Sequence, residues 1–351
     1  MRRGAYTLLV ANAVIMVALT VIVSLSLGHP LRDPDGFLGP AWIRMPLLIG
    51  FAFAIDIVPR TLFHARLRPT RLVPEARRLI REHWTRDRII LVVVGALSFY
   101  ATYVSYRNLK NFLPFVRPGH FDYAMHHLDH WLLFGHDPAI LLHDLLGVGV
   151  SAQFLSWIYL LFLPMVPMTV IAWAVWSRNV GFGLWYVTAD CVVWSLGTAS
   201  YYMIPTLGPG FSFPYLYTGL EHTGVTTLQD SLSNGREHIL WINPFSDSVQ
   251  SVAGFASLHV GITLMTCLVA HYTIRQRWLR VLLWTDLFLV IVSTTYFGWH
   301  YIADDVAGAF IAFVGVYGAG WATGQKFDTV ARDKVVERAL PEPEMAANPA
   351  V

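Results

Sequence analysis

The sequence predicts an all-α, polytopic membrane protein of about eight transmembrane helices. Three observations carry that reading. Hydrophobic residues make up 55% of the 351 and charged residues only 14%, whereas a soluble domain carries about 25% charged residues. Mean hydropathy is +0.49. Apolar stretches close to the roughly 20 residues that a bilayer requires recur along the chain. The thirteen Trp and fifteen Tyr suit aromatic belts at a membrane–water boundary. A net charge of +2, spread over such a chain, argues against a nucleic-acid partner. The two cysteines, Cys191 and Cys267, both lie in apolar runs, which excludes a disulfide scaffold.

The expected spans are Tyr6–Leu27, Ala41–Val58, Ile89–Tyr106, Ala152–Val175, Phe182–Ile204, Val252–Tyr272, Leu279–Phe297 and Tyr301–Trp321. The first follows Met1-Arg2-Arg3 like a signal peptide, but its apolar stretch is too long and no small-x-small cleavage site follows. It reads as a retained anchor. Four regions result: membrane helices with a basic loop (1–106), an interfacial segment (107–151), a membrane core (152–325) and a charged tail (326–351) that reads as disordered.

With the N-terminus placed in the cytoplasm, eight spans put nineteen of the twenty-five Lys and Arg inside. Only Arg32, Arg44, Arg107, Lys110, Arg117 and Arg236 fall outside. That split follows the positive-inside rule. Both termini are then cytoplasmic, and two long loops, Arg107–Ser151 and Pro205–Ser251, face outward. The Arg- and Ala-rich composition points to a bacterial plasma membrane.

Three segments converge on the outer face: Tyr202 to Pro209, Phe255 to Gly261, and Ser293 to Gly308. His259 and His300 fall at similar depth. His300 and Asp304 are four residues apart, hence on one helix face. A carboxylate there can take the proton of one ring nitrogen and leave the other as an oriented nucleophile or base. His259, from another helix, can protonate a leaving oxygen. Ser257 and the first N–H groups of its helix can hold phosphate oxygens. The plainer alternative is a His–Asp pair that only satisfies itself inside a bundle.

Ser257-Leu258-His259, followed by Ser293-Thr294-x5-His300-x3-Asp304-x3-Gly308, resembles the type 2 phosphatidic acid phosphatase (PAP2) superfamily. It looks closest to the branch of inositol phosphorylceramide synthases and related bacterial enzymes. Ala256 stands where that branch has proline, and Thr294 where the superfamily has arginine. The first superfamily motif, Lys-x6-Arg-Pro, is absent, and Pro205-Thr206-x2-Pro209 stands in its place. The resemblance covers roughly residues 150–322.

The resemblance implies a six-helix core and a reaction without metal or other cofactor. His300 would attack phosphorus, Asp304 would orient it, and His259 would protonate the departing alkoxide. A phospholipid or lipid-linked phosphate would be the donor. A polyol, a lipid alcohol or water would be the acceptor. The synthase-like motifs tilt the expectation toward transfer of a phospho-headgroup such as inositol phosphate; the alternative is a lipid or polyprenyl phosphate phosphatase. A transporter, supported by Asp190 and Asp286 within spans, or a catalytically dead lipid-binding relative are the non-enzymatic alternatives.

Losing the family's Lys and Arg leaves a charge deficit around the phosphoryl oxygens. Arg107 and Lys110, just past the third span, are the expected replacements, with Thr294 as a further phosphate contact; headgroup anchoring is their alternative role. Tyr202, Pro205, Thr206, Gly208 and Asp129 are expected at the substrate loop. Six histidines (His120, His126, His127, His130, His136 and His143) crowd one outer segment. His126 and His130 are spaced for a metal, yet Tyr123–Phe134 reads more simply as an interfacial amphipathic helix. No metal site is expected.

Overall fold

The computed structural model describes residues 4–34, 40–66, 68–177, 179–242 and 252–327. The expected tail, all of it except its first two residues, lies outside the described residues. Among the described residues there are thirteen helices and no strand: α1 (Thr7–Leu27), α2 (Ala41–His64), α3 (Pro69–His83), α4 (Arg86–Val116), α5 (Asp122–Leu132), α6 (Pro138–Leu146), α7 (Val150–Ile171, continued by a π turn Ala172–Trp176), α8 (Val180–Met203), α9 (Pro209–Ser212), α10 (Gly224–Glu237), α11 (Leu258–Thr273), α12 (Arg277–Tyr296) and α13 (Ile302–Thr323).

Seven of these helices are long and apolar enough to cross a membrane. The expected sixth span is shorter than its apolar run. Residues 252–257 approach it as non-helical chain, and α11 covers only Leu258–Thr273. The third span is longer than expected. Thr85 caps α4 by accepting from the Arg88 N–H, and the helix continues for 31 residues to Val116. Arg107 and Lys110 therefore sit on a helix, not in a loop. Among the described residues the two long connections are also largely helical, through α5 and α6 in one and α9 and α10 in the other.

Helix α8 is the centre of the bundle, packed by α13, α4, α11 and α1. Of its most apolar stretch 67% is buried, against 22% for α2 and for α12. A helix apolar on all sides but poorly covered by protein is what a lipid-facing span requires. Helices α11 and α13 approach closely at Gly261 and Gly308. A Cβ on Gly308 would stand 2.3 Å from the Ser257 carbonyl oxygen. Small residues at a crossing let two membrane helices touch through their backbones. That contact brings the start of α11, which carries His259, against the start of α13, which carries Asp304.

Candidate active site

Ser257 caps α11, its hydroxyl accepting from the Val260 N–H at 3.3 Å. Its own N–H donates to the Asp304 carbonyl at 2.9 Å. The two helix starts are thus tied by backbone as well as by packing. His259 follows in the first turn of α11, enclosed by the rings of Tyr159 and Phe162 from α7. Trp299 stacks on Tyr159 with ring centroids 4.9 Å apart, completing an aromatic wall.

His300 lies in the turn between α12 and α13 and is 4% exposed. Its Nδ1 is 3.4 Å from Asp304 Oδ2, and the ring also hydrogen-bonds the Gly254 carbonyl. A carbonyl only accepts, so that side of the ring carries the proton. Its Nε2 is 3.1 Å from His259 Nδ1. Asp304 Oδ2 also accepts from the Tyr301 N–H at 3.0 Å, which holds the carboxylate in place. Burial, and then the nearby Lys110 ammonium, pull the His300 imidazole down to about 3. The ring is therefore neutral, with a lone pair directed at His259.

Lys110 is the basic residue that the structure brings to this pair. Its ammonium acts electrostatically on both His259 and His300. It lies over the Tyr106 and Tyr201 rings, 5.6 and 5.2 Å from their centroids. Arg107, one residue before, is partly exposed and has no such contact with the pair among the described interactions. The other expected phosphate contact, Thr294, is buried and donates back to the Val290 and Ile291 carbonyls of its own helix at 2.9 and 3.0 Å.

The expected loop residues build the wall of the site and largely satisfy each other. Tyr202 donates to the Leu109 carbonyl at 2.6 Å. The Pro205 carbonyl accepts from Phe121 N–H at 2.8 Å. Thr206 accepts from Phe255 N–H through its hydroxyl and from Gly254 N–H through its carbonyl, both at 2.8 Å. Gly208 has φ +100°, and a Cβ there would lie 2.4 Å from the Trp299 carbonyl oxygen. Only glycine fits that backbone and that approach.

Two carboxylates on α5 hold this wall in place. Asp122 is the first of them. It accepts from the Leu207 and Gly208 N–H groups, both with Oδ1 at 3.0 Å, and from the Tyr301 hydroxyl at 2.9 Å. Asp129, seven residues on and so on the same face, accepts from the Ile302 N–H at 3.2 Å. It occupies the positive end of α13. Burial pushes its carboxyl up to about 7. Both are buried, while Tyr123 and Trp131 of the same helix are 74% and 76% exposed. The helix faces its acids inward and its aromatics outward, the polarity of an element with a lipid interface on its far side.

A crevice lined by His126, Asp129, Asp137, Tyr217, His300 and Tyr301 opens toward the site. At about 10 Å³ it has room for roughly one water molecule. His126, His130 and Asp137 stand together at its edge. Only His126 and His130 share a helical spacing, and Asp137 returns to them through the turn after α5.

The PAP2 superfamily is the family whose description matches the chain, over residues 123–318. No curated protein and no solved structure matches it.

Proposed function

Because the chain belongs to the PAP2 superfamily, we propose that it is a membrane phosphotransferase that moves a phospho-headgroup, such as inositol phosphate, between a lipid and an alcohol. The observation that carries this reading is the His300 ring, set between Asp304 at one nitrogen and His259 at the other. One ring nitrogen is engaged as a proton donor, and the other is an oriented nucleophile.

The steps follow from those positions. The donor's phosphorus displaces the His259–His300 contact and meets His300 Nε2. The N–P bond forms as the P–O bond to the leaving alkoxide breaks. A doubly protonated His259, favoured by the incoming phosphate's negative charge, gives its proton to that oxygen. The Gly254 carbonyl and Asp304 hold the ring as it becomes cationic. Lys110 balances the phosphoryl oxygens in place of the family's missing Lys and Arg. His259 then takes the proton of the acceptor hydroxyl, whose oxygen attacks phosphorus and frees His300. The positive-inside count supports an active site on the outer face of the plasma membrane.

A second reading, hydrolysis of a lipid or polyprenyl phosphate, is favoured by the crevice, which has room for water but not for a polyol in this arrangement. Purified protein given a phosphatidyl-headgroup donor with and without free polyol separates the two. Polyol-dependent exchange of the headgroup, blocked by vanadate, supports transfer. Vanadate-sensitive phosphate release from phosphatidic acid or polyprenyl diphosphate, unaffected by polyol, assigns the hydrolase reading. Neither reaction with any of these substrates overturns both.

A further inference from the structure

We propose that His126, His130 and Asp137 bind one divalent transition-metal ion of the zinc class at the mouth of the crevice beside His300. The two imidazoles project one turn apart from α5. After Leu132 the chain reverses through Phe134 and Gly135, which have φ +55° and +91°. The reversal is closed by Gly135 N–H donating to the His130 carbonyl at 2.7 Å. It returns Asp137 to the face it left. Oδ1 of Asp137 then lies 2.8 Å from His130 Nε2 and 3.4 Å from His126 Nδ1.

Two different ring nitrogens, Nδ1 of one histidine and Nε2 of the other, thus converge on one carboxylate oxygen. All three ligand atoms fall within 4.8 Å of one another. Ligands about 2.0–2.2 Å from a shared ion reach such separations with small side-chain movements. Two imidazoles and a carboxylate suit zinc better than magnesium or calcium, which favour oxygen. The His126 ring is fixed from behind by Phe213, with ring centroids 4.2 Å apart and planes 26° apart. Side-chain exposures of 15%, 34% and 18% for His126, His130 and Asp137 leave a route for the ion.

Three protein ligands leave a fourth tetrahedral position for an oxygen donor. The crevice lined by His126, Asp137 and His300, with room for roughly one water molecule, is where that oxygen would take it. The inference stands on this geometry and not on the catalytic reading, since the ion is no part of the phosphoryl transfer described above.

The test uses the full chain in detergent, stripped with chelator and titrated with Co²⁺ and then Zn²⁺. The expected result is one Co²⁺ per chain with visible ligand-field bands, displaced by Zn²⁺, and a rise in Tm with Zn²⁺. His130→Gln and Asp137→Asn should each weaken binding at least about tenfold and remove the Tm rise. His300→Ala should retain both signals, so that a failed catalytic assignment leaves this result intact. Wild-type protein without stoichiometric binding, or either folded variant binding like wild type, overturns the proposal.

Discussion

Two His–His–Asp groups sit on either side of one crevice, and they are held in different ways. In the first, His259, His300 and Asp304 come from the starts of two tightly packed membrane helices. His300 and Asp304 are almost completely buried, and Asp304 Oδ2, His300 Nδ1 and Nε2, and His259 Nδ1 follow one another in contact. In the second, His126, His130 and Asp137 come from a surface helix and a turn and are partly open to solvent. The carboxylate of the first group orients one ring. The carboxylate of the second is shared by two. Burial and order suit a group that must present one lone pair in one direction. Openness suits a group that must admit an ion.

The sharpest way to break this comparison is at His300. His300→Ala should leave the protein folded, because the residue lies in a turn, and should abolish turnover. A folded variant with more than a tenth of wild-type activity contradicts the nucleophile assignment. Asp304→Asn should lower kcat by roughly 10²–10⁴, since an amide can hold the ring in the wrong tautomer and cannot stabilise its charge. Asp305→Asn should cost less. The reverse order would place the orienting carboxylate one residue later.

The next largest effect is expected at Lys110. Lys110→Met should reduce kcat by about 10²–10³, the scale of one lost transition-state contact. Arg107→Met should change it little. Equal losses would mean that position along α4, and not contact with the histidine pair, governs phosphate binding.

The third group of residues, the α5 carboxylates, sharpens the comparison through pH. Asp129 titrates near 7 in the folded chain against an ordinary 3.8. Below about pH 4 it is protonated in folded and unfolded chains alike and has no effect on the pH dependence. As pH climbs through the window from 3.8 to about 7, the unfolded chain ionises first, so Asp129 lowers stability. Asp129→Asn should therefore flatten the fall of Tm across that window. A wild-type and variant pair with parallel Tm–pH curves would contradict the burial of this carboxyl.

How much of this was legible in the sequence differs between the regions in a physical way. The helical membrane class followed from apolar length, and the spacing of four between His300 and Asp304 announced their contact, although His300 lies in the turn before α13 and not on one helix with Asp304 as the spacing suggested. Lys110 was placed near the site but on the wrong kind of element. The apolar run ended at Tyr106, whereas the helix continued because its last turns find protein partners: Asn108 donates to the Arg32 carbonyl at 2.8 Å, and Lys110 lies over the ring of Tyr201 on α8. The short α11 was overestimated for the opposite reason: hydropathy cannot distinguish an apolar helix from apolar chain leading into one. The part Asp122 plays in holding the loop was hidden because its partners include backbone N–H groups 85 residues away, which no local pattern encodes. The way Asp137 reaches the two histidines was hidden by a turn that reverses the chain with two residues at positive φ, one of them phenylalanine.

The central claim is that His300 becomes covalently phosphorylated. The direct measurement is mass spectrometry of rapidly quenched wild-type protein and the His259→Ala variant after exposure to phosphate donor, with peptides kept at alkaline pH. The account predicts an acid-labile adduct, the transferred phospho group bound through phosphorus, on His300 of the wild-type protein, and one that forms and decays more slowly in His259→Ala because that residue serves both steps. Turnover with no phosphoryl group on His300 in either protein, or with the label on His259, would contradict it.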